Sequence, residues 1–362
     1  MSEQPTRRGV IIGTAVGIAG LSAGVALTPP SASSPSTSRF QPGIASPEVP
    51  QHFGHLVVLA TTAPTTGWLA ALGERVLDLT EGRDATGVLP DGPGDLTVTV
   101  ALGPRLIAAV DPALPGATAL PGFAKDDAIP AGLASGDVLL TAYASDPTVL
   151  QAVLDDLVAL VPESSRLWEQ AMFRGPGEGS KARNPLGFMD GIIVPHGARE
   201  LDESVWVGEG ALAGSTICVI RRLQLNTREF RSRSVREREA VIGRTLVTGA
   251  PLSGGGPDAQ VDLNAKTPEG EFRVPPHAHA RAAHPSFTGS SLMLRRSYSF
   301  DNGPDDQGLV FISFQNDLKT FVATQQRLDE VDALMEIATP TASGTFLVLP
   351  GFSRESPLGS QL

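Results

Sequence analysis

The sequence is poor in cysteine and in positive charge, and each shortage argues against certain kinds of site or function. A single cysteine, Cys218, excludes both an intramolecular disulfide and a cysteine-based metal site. Its place in the apolar run STICVI predicts a buried strand residue. The chain has 28 Lys and Arg against 39 Asp and Glu, a net charge of −11. This balance argues against nucleic-acid binding, which requires a basic surface.

Glycine and proline, by contrast, are plentiful. The 362 residues include 39 glycines and 30 prolines, which predict many tight turns and long irregular connections. With 41% hydrophobic residues, the chain can form one large or two medium-sized globular domains.

The first 50 residues have the composition of an export signal followed by a linker. Arg7 and Arg8 directly precede the mildly apolar run VIIGTAVGIAGLSAGVAL, and a segment rich in proline and serine follows it. This arrangement predicts a twin-arginine signal, and hence a protein that is secreted or held at the outer cell surface. A retained membrane tether is the alternative, because the run is about long enough to span a bilayer. We assign residues 1–50 to the signal and linker.

The remaining sequence contains two similar successions of strands and helices. In the first, apolar periodicity predicts strands at 55–63, 95–103, 136–144 and 166–173, with helices at 66–79 and 146–161. In the second, it predicts strands at 215–226, 290–300 and 308–317, with helices at 227–243 and 318–335. The first order is β-α-β-β-α-β, the ferredoxin-like motif. We therefore predict an α+β protein with two ferredoxin-like domains, 51–200 and 201–362, whose antiparallel sheets pack together with helices outside.

Two long irregular segments, 174–200 and 244–289, contain residues that are hard to explain as structure. Asp190 lies between the apolar runs LGFM and GIIV, where an ionised carboxylate costs several kcal/mol unless it is paired or used. His277, His279 and His284 cluster in PPHAHARAAHP, which indicates either a metal site or an exposed loop. Loops of this length in a compact domain are usually functional or disordered.

Two adjacent arginines interrupt the apolar strand LMLRRSYSF. Because side chains alternate along a strand, either Arg295 or Arg296 should face the interior and require an anion there. The partner could belong to a structural ion pair or to a functional site, and both interpretations stay open at this point.

Taken in order, the segments NPLGFMDG, IGRTLVTGAPLSG, HARAAHP, LMLRRSYSF and LVFISFQNDL resemble the dye-decolourising peroxidase family, in its bacterial twin-arginine-exported branch. The resemblance extends over about residues 55–350. Its most specific element is the G-x-x-D-G signature at 187–191. The resemblance implies two ferredoxin-like domains and one haem b (iron protoporphyrin IX) in the C-terminal half.

The resemblance also implies roles for individual residues. His279 matches the axial iron ligand, Asp190 the distal proton carrier and Arg295 the distal arginine. The other residues expected at the haem are Gly191, Ile192, Ile193, His284 and Pro285. No motif fixes a role for Arg281, which we take as a propionate partner because it lies near His279 in the sequence, and Phe314 in the strand VFISFQND is a candidate for distal packing. Phe314 could instead be a core residue. One departure is that Val194-Pro195 stands where relatives have Asn-Pro, and His196 could return a polar group to the pocket.

The implied activity is reduction of hydrogen peroxide through a ferryl intermediate, with oxidation of dyes, phenols or another small aromatic or metal-ion reductant. The alternative is a haem-handling protein of iron uptake, which carries haem or releases its iron. A chlorite-decomposing or oxygen-binding haem protein is a third hypothesis, but the signature that contains Asp190 argues against it. Electrons could leave through surface aromatic residues, and the candidates, each of which could also be a core residue, are Trp68, Trp168, Trp206, Tyr143 and Tyr298. A homo-oligomer is compatible with this function.

Overall fold

The computed structural model describes residues 39–65 and 67–362. The predicted twin-arginine signal, including Arg7 and Arg8, lies outside the described residues. Within the described part of the chain, no helix is both long enough and apolar enough to cross a membrane.

Eleven strands and eight α-helices form within the described residues. The strands are β1 (Phe53–Thr61), β2 (Thr97–Leu102), β3 (Val138–Ala144), β4 (Ser164–Phe173), β5 (Ala182–Arg183), β6 (Met189–Asp190), β7 (Thr216–Leu225), β8 (Leu294–Arg295), β9 (Tyr298–Asp301), β10 (Gln307–Gln315) and β11 (Ala338–Val348). The helices are α1 (Leu69–Thr80), α2 (Pro104–Val110), α3 (Leu150–Val158), α4 (Gly197–Ser204), α5 (Thr227–Ser232), α6 (Val235–Ile242), α7 (His279–Ala282) and α8 (Leu318–Val331).

The long strands form two antiparallel units with the same topology. In the N-terminal unit the spatial order is β2-β3-β1-β4, and in the C-terminal unit it is β9-β10-β7-β11. Numbered along the chain within each unit, both orders are second, third, first and fourth. This is the ferredoxin-like arrangement, so the predicted fold class is confirmed.

The two sheets are joined at their edges rather than only packed face to face. Leu102 and Ala101 of β2 pair with Leu347 and Val348 of β11, and β4 meets β9 through Phe173. These short pairings unite the units into one continuous sheet, with β8 added beside β10. The joined residues gain backbone partners, which shortens the edges that could otherwise pair with strands of other chains.

One apolar core lies between the inner faces of the two units. Residues of the N-terminal unit, such as Leu56 and Val58, share one apolar cluster with Ile220, Phe314 and Phe346 of the C-terminal unit. The outer face of the N-terminal unit is covered by α1 and α3, which bury a second cluster. Residues of both β7 and α8 line a cavity on the outer face of the C-terminal unit.

Several predicted elements in the second half differ from the structure. The helix predicted at 227–243 is two helices, because Ser234 starts α6 with a capping box shared with Glu237. The strand predicted at 290–300 is interrupted between β8 and β9. No strand was predicted after the helix at 318–335, whereas β11 follows that helix and pairs with β7 over most of its length.

Residues 39–50, predicted to be linker, are packed against the sheets. Phe40 stacks on Trp206 with the ring centroids 4.0 Å apart, and the Gln41 amide group exchanges two hydrogen bonds with the Val100 backbone. The buried Arg296 guanidinium donates to the carbonyls of Ile44, Pro47 and Glu48. The more deeply buried of the two adjacent arginines is thus Arg296, and carbonyl oxygens of this segment rather than an anion solvate its guanidinium.

Candidate active site

A large cavity lies between the outer face of the C-terminal sheet and the helices that cover it. It contains about 1660 Å³ of space free of protein atoms, part of it continuous with solvent. Its walls are mostly apolar, with Leu223 and Leu309 on the sheet side and Leu328 on the helix side. Pockets of this kind, apolar with a few polar groups, are typical small-molecule and cofactor sites.

On the helical wall, a histidine is held by a buried carboxylate. His279 begins α7 and lines the cavity, and its Nδ1 lies 2.6 Å from Oδ2 of Asp332. The Asp332 side chain has no exposed surface, and its Oδ1 accepts a second hydrogen bond from the Leu334 backbone. Because Asp332 occupies Nδ1, Nε2 is the nitrogen left to bind a group in the cavity.

The electrostatic surroundings of His279 shift the pKa of its imidazole. Burial lowers the pKa of His279, but the negative charge of Asp332 and its hydrogen bond outweigh burial, so the pKa lies above its usual value. Arg295 lowers and Asp190 raises this pKa by smaller amounts. The carboxylate thus increases the basicity of the imidazole, as such partners do for metal-binding histidines.

On the opposite side, Asp190 is presented by a short hairpin. Asp190 ends β6 and pairs with Ala182 of β5, and its Oδ1 accepts a 2.6 Å hydrogen bond from the Gly191 backbone. Gly191 has a φ of 78°, and a Cβ there would lie 2.8 Å from the Ser180 carbonyl oxygen. Glycine suits this position because it accepts the positive φ and because a side chain would crowd the Ser180 backbone just before β5.

Arg295 reaches Asp190 from the sheet. Its Nε lies 3.8 Å from Oδ1 of Asp190, and its Nη1 donates to the Ile193 carbonyl at 3.0 Å. Both side chains of this pair keep roughly a third of their surface exposed, at 27% for Arg295 and 30% for Asp190. The separation is that of a loose ion pair rather than a close hydrogen bond.

Most of the predicted site residues meet in this cavity. The structure brings His279 together with Asp190 and Arg295, and with the further predicted lining residues, which are Gly191, Ile192, Ile193, His284 and Pro285. His277 is exposed and is not among the lining residues. No group of three or more His, Cys, Asp or Glu side chains in the described part of the chain could hold a metal ion by itself.

Two predicted site residues lie elsewhere. Phe314 is buried between the two sheets, because even-numbered residues of β10 face the inter-sheet core. Phe311 lines the cavity instead. It lies on the odd-numbered face of β10, as does Ser313, the residue that pairs with Arg295 of β8. Arg281 points away from the cavity and donates to the Leu263 carbonyl at 2.6 Å.

The segment that departs from relatives contributes little to the cavity. Val194 is buried in the core between the sheets, whereas His196 is exposed and lines no part of the site. The suggestion that His196 returns a polar group to the pocket was therefore wrong.

Sequence patterns did not identify two further arginines of the cavity wall. Arg221 on β7 is 3% exposed and pairs with Asp126, a residue of the N-terminal unit, while its Nε has no hydrogen-bond partner among residues 39–65 and 67–362. Arg244 is also buried, and it donates to the carbonyls of Gly249, Pro257 and Ala259. Burial lowers the pKa of Arg244, and the charge of Arg295 lowers it further. The alternation of side chains along STICVIRRLQL could have indicated that Arg221 and Arg222 face opposite sides of the sheet, so that one of them faces the cavity.

Comparisons with known proteins agree with this architecture. The family model "Dyp-type peroxidase, N-terminal" matches residues 41–169, and "Dyp-type peroxidase, C-terminal" matches residues 181–353. A dye-decolorizing peroxidase of Thermobifida fusca is 34% identical over 294 residues, which is 75% of this chain and 67% of that protein. A deferrochelatase of Yersinia pestis is 33% identical over 248 residues, 62% of this chain but only 56% of that protein.

Solved structures of similar proteins match almost the whole described chain. A DyP-type peroxidase from Streptomyces coelicolor has a TM-score of 0.80 at 31% identity, and the match covers 90% of this chain and 95% of that one. A DyP-type peroxidase from Cellulomonas bogoriensis has a TM-score of 0.79 at 32% identity, with coverage of 90% and 96%.

Proposed function

The chain belongs to the Dyp-type peroxidase family, and from this premise we propose that it is a haem b peroxidase. In this proposal it reduces hydrogen peroxide in the cavity of the C-terminal unit and oxidises dyes, phenols or other small reductants. The observation that carries the proposal is the meeting of His279, Asp190 and Arg295 in one cavity.

The cavity residues fit a haem. His279 offers Nε2 to iron while its Nδ1 is occupied, the usual condition for a neutral imidazole ligand. The apolar residues of both walls suit the porphyrin faces. In the described part of the chain, Arg244 has only carbonyl partners, and the Nε of Arg221 has no partner. Both guanidinium groups can therefore form ion pairs with the haem propionates. We propose Arg244 and Arg221 in the role predicted for Arg281.

When bound, the haem supplies the redox centre at which peroxide accepts electrons. The protein's own groups handle protons and charge. Asp190 can take a proton from one peroxide oxygen and return it to the other, directly or through one water. Arg295 provides a fixed positive charge beside the separating oxygens, which stabilises the developing negative charge. Asp332 holds the His279 ring in one orientation and one tautomer.

A direct test is the addition of hydrogen peroxide to the purified holoprotein. A peroxidase should show a rapid change in the haem absorption spectrum, followed by return to the resting spectrum as a reducing dye is consumed. Absence of a spectral change at micromolar to millimolar peroxide would contradict the proposal.

Haem handling is the second candidate function, and the deferrochelatase relatives support it. It predicts release of iron or of intact haem under reducing conditions without consumption of peroxide. Iron released from the holoprotein can be measured with a ferrous chelator in the same preparation. Release without peroxide turnover would favour this second function.

We also propose export by the twin-arginine route, on the sequence around Arg7 and Arg8 alone. Conversion of both residues to lysine should leave the protein in the cytoplasm, as measured by cell fractionation. Continued export of that double variant would argue against this type of signal.

A further inference from the structure

Arg281 belongs to a patch of alternating cations and phenylalanines outside the cavity. Its guanidinium lies 4.3 Å from the ring centroid of Phe272 and 5.9 Å from that of Phe287. Lys266 adds a second cation, 4.9 Å from the Phe272 centroid, and Arg327 lies 5.2 Å from the Phe287 centroid. These five residues, here called the Phe/Arg patch, come from three separate stretches of the chain, which the fold brings together.

The patch is open to solvent and carries three cationic side chains, those of Lys266, Arg281 and Arg327. Phe272 and Phe287 are 37% and 43% exposed, unusual values for large apolar side chains in this protein. Arg327 pairs with Glu330, but neither Lys266 nor Arg281 forms an ion pair within the described part of the chain. Two carboxylates, Glu269 and Glu271, lie in the same loop as Phe272. Even so, the patch combines positive charge with aromatic faces on a protein whose net charge is −11.

The position of the patch connects it with the cavity. Arg281 lies on α7, two residues after His279, and Phe287 follows the cavity residues His284 and Pro285. Arg327 lies on α8 beside Leu328, which lines the cavity. The patch is thus on the outer side of elements whose other residues form the helical wall, about one helix diameter, roughly 10 Å, from the cavity.

The tryptophans and tyrosines predicted as exits for electrons are poorly placed to meet a reductant. Trp68, Trp206, Tyr143 and Tyr298 are all less than 9% exposed, and Trp168 is only partly exposed. They therefore fit the alternative interpretation, which is that they are core residues. The exposed aromatic rings close to the cavity are those of the Phe/Arg patch.

We propose that the Phe/Arg patch is a docking site for an anionic aromatic reductant, such as a sulfonated or carboxylated phenol. Its rings stack on Phe272 and Phe287, and its anionic group pairs with Lys266, Arg281 and Arg327. This inference rests on the proposed peroxidase function. Each docked phenol loses one electron and one proton to become a phenoxyl radical, and two such events supply the two electrons and two protons that convert one H₂O₂ into two H₂O.

The test uses the holoprotein with the double substitution Phe272→Ala/Phe287→Ala and, separately, Arg327→Gln. Phe173→Ala is the matched control for an exposed ring, because Phe173 is 41% exposed on the N-terminal unit, and Arg236→Gln controls for loss of an exposed charge. Haem content and the rate of the peroxide-induced spectral change should stay at wild-type values in all four. The KM for a phenolsulfonate should rise about tenfold in the double variant, which lacks the stacking rings. It should also rise in Arg327→Gln, whereas the KM for uncharged phenol should change little in that variant because phenol has no anionic group to pair with the lost charge.

Binding of 2-naphthalenesulfonate, which is not oxidised, measures docking without turnover. Its Kd, from NMR titration in the absence of peroxide, should weaken about tenfold in Phe272→Ala/Phe287→Ala and not in Phe173→Ala. Equal affinity in the double variant and the wild type would overturn the docking site. Loss of peroxide turnover with patch-dependent binding intact would instead contradict the proposed function and leave the docking site standing.

Discussion

The two walls of the cavity each present a carboxylate to a cationic or basic partner, but they hold it differently. On the helical wall, Asp332 is fully buried and lies 2.6 Å from His279. On the wall formed by the β5–β6 hairpin and β8, Asp190 is partly exposed and lies 3.8 Å from Arg295. One carboxylate is buried and close to its partner, and the other is partly exposed and farther from its partner.

This difference matches what each side has to do. A group that holds a ligand benefits from a fixed orientation, which the buried carboxylate and its second hydrogen bond to the Leu334 backbone supply. A group that moves a proton has to exchange partners during the reaction, so a loose ion pair with access to the cavity is better suited. The helical wall is therefore a binding wall, and the Asp190 wall is a reactive one.

The largest effect should come from removal of the ligand on the binding wall. His279→Ala should lose most of the bound haem, because no other histidine of the described residues is placed equivalently. Haem content is measured by the pyridine haemochrome absorbance per mole of protein. His277→Ala is the matched control and should retain haem. If His279→Ala kept its full haem content and His284→Ala lost haem, His284 rather than His279 would be the ligand.

On the reactive wall, Asp190→Asn should slow the peroxide-induced spectral change by about 10²–10⁴-fold, the usual contribution of a positioned acid–base group. The substitution keeps the size of the side chain, so haem content should not change. Stopped-flow absorbance with excess peroxide measures the rate. A wild-type rate would make Asp190 a structural partner of Arg295.

Arg295→Leu should slow the same step by about 10²–10³-fold, as loss of one preorganised charge does. Relative to the wild type, the Asp190→Asn/Arg295→Leu double variant should be slowed by much less than the product of the two single-variant factors. The reason is that both residues act on one step. The rates of the four proteins form a double-mutant cycle. Fully multiplicative effects would show that the two residues act independently.

Asp332→Asn should distinguish most clearly between the role of the binding wall and that of the reactive wall. It keeps the hydrogen bond but removes the charge that raises the pKa of His279, so haem affinity should fall by about 10–100-fold, as for other partners of metal-binding histidines. Transfer of haem to an excess of apomyoglobin measures the rate of its release. The initial rate of the peroxide step should fall far less than in Asp190→Asn. The opposite order of effects would contradict the division between binding and reactive walls.

The sequence contained more information about the reactive wall than about the binding wall. Asp190 was evident because an ionisable residue between apolar runs requires an explanation, and its neighbours Gly187 and Gly191 are the glycines of the signature. Asp332 gave no such signal. It ends a helix 53 residues from His279, and only the fold brings the two side chains together.

The same limit explains the main errors in the fold. The strand β11 contains Pro340 and Gly344 among threonines and serines, a composition that weakly predicts a strand. Its position between β7 and β2 fixes its conformation, because both neighbours supply backbone partners. Phe314 was assigned to the cavity instead of Phe311 because alternation distinguishes two faces but does not say which one meets Arg295.

An ion pair away from both walls should give the smallest effect and so calibrates the others. Arg222 binds both carboxylate oxygens of Asp306, at 2.7 and 2.6 Å, and stacks on Phe300. Burial raises the pKa of Asp306, but its hydrogen bonds with Arg222 and Asn302 outweigh burial, so the pKa is lowered in the folded protein. A lowered folded-state pKa stabilises the fold above the unfolded value of about 3.9, and this contribution is lost as the pH falls through the folded-state value.

Because the Asp306 side chain is 40% exposed, solvent screening limits the contribution of the pair. Asp306→Asn should therefore lower the free energy of unfolding by at most about 1 kcal/mol at pH 7. The difference should shrink towards zero in urea denaturation at pH values below the lowered pKa. Haem content and the peroxide rate should equal those of the wild type, since neither wall is touched. If this variant slowed the peroxide step as strongly as Arg295→Leu, the effects at the walls would reflect general destabilisation, and the contrast between the walls would have no functional meaning.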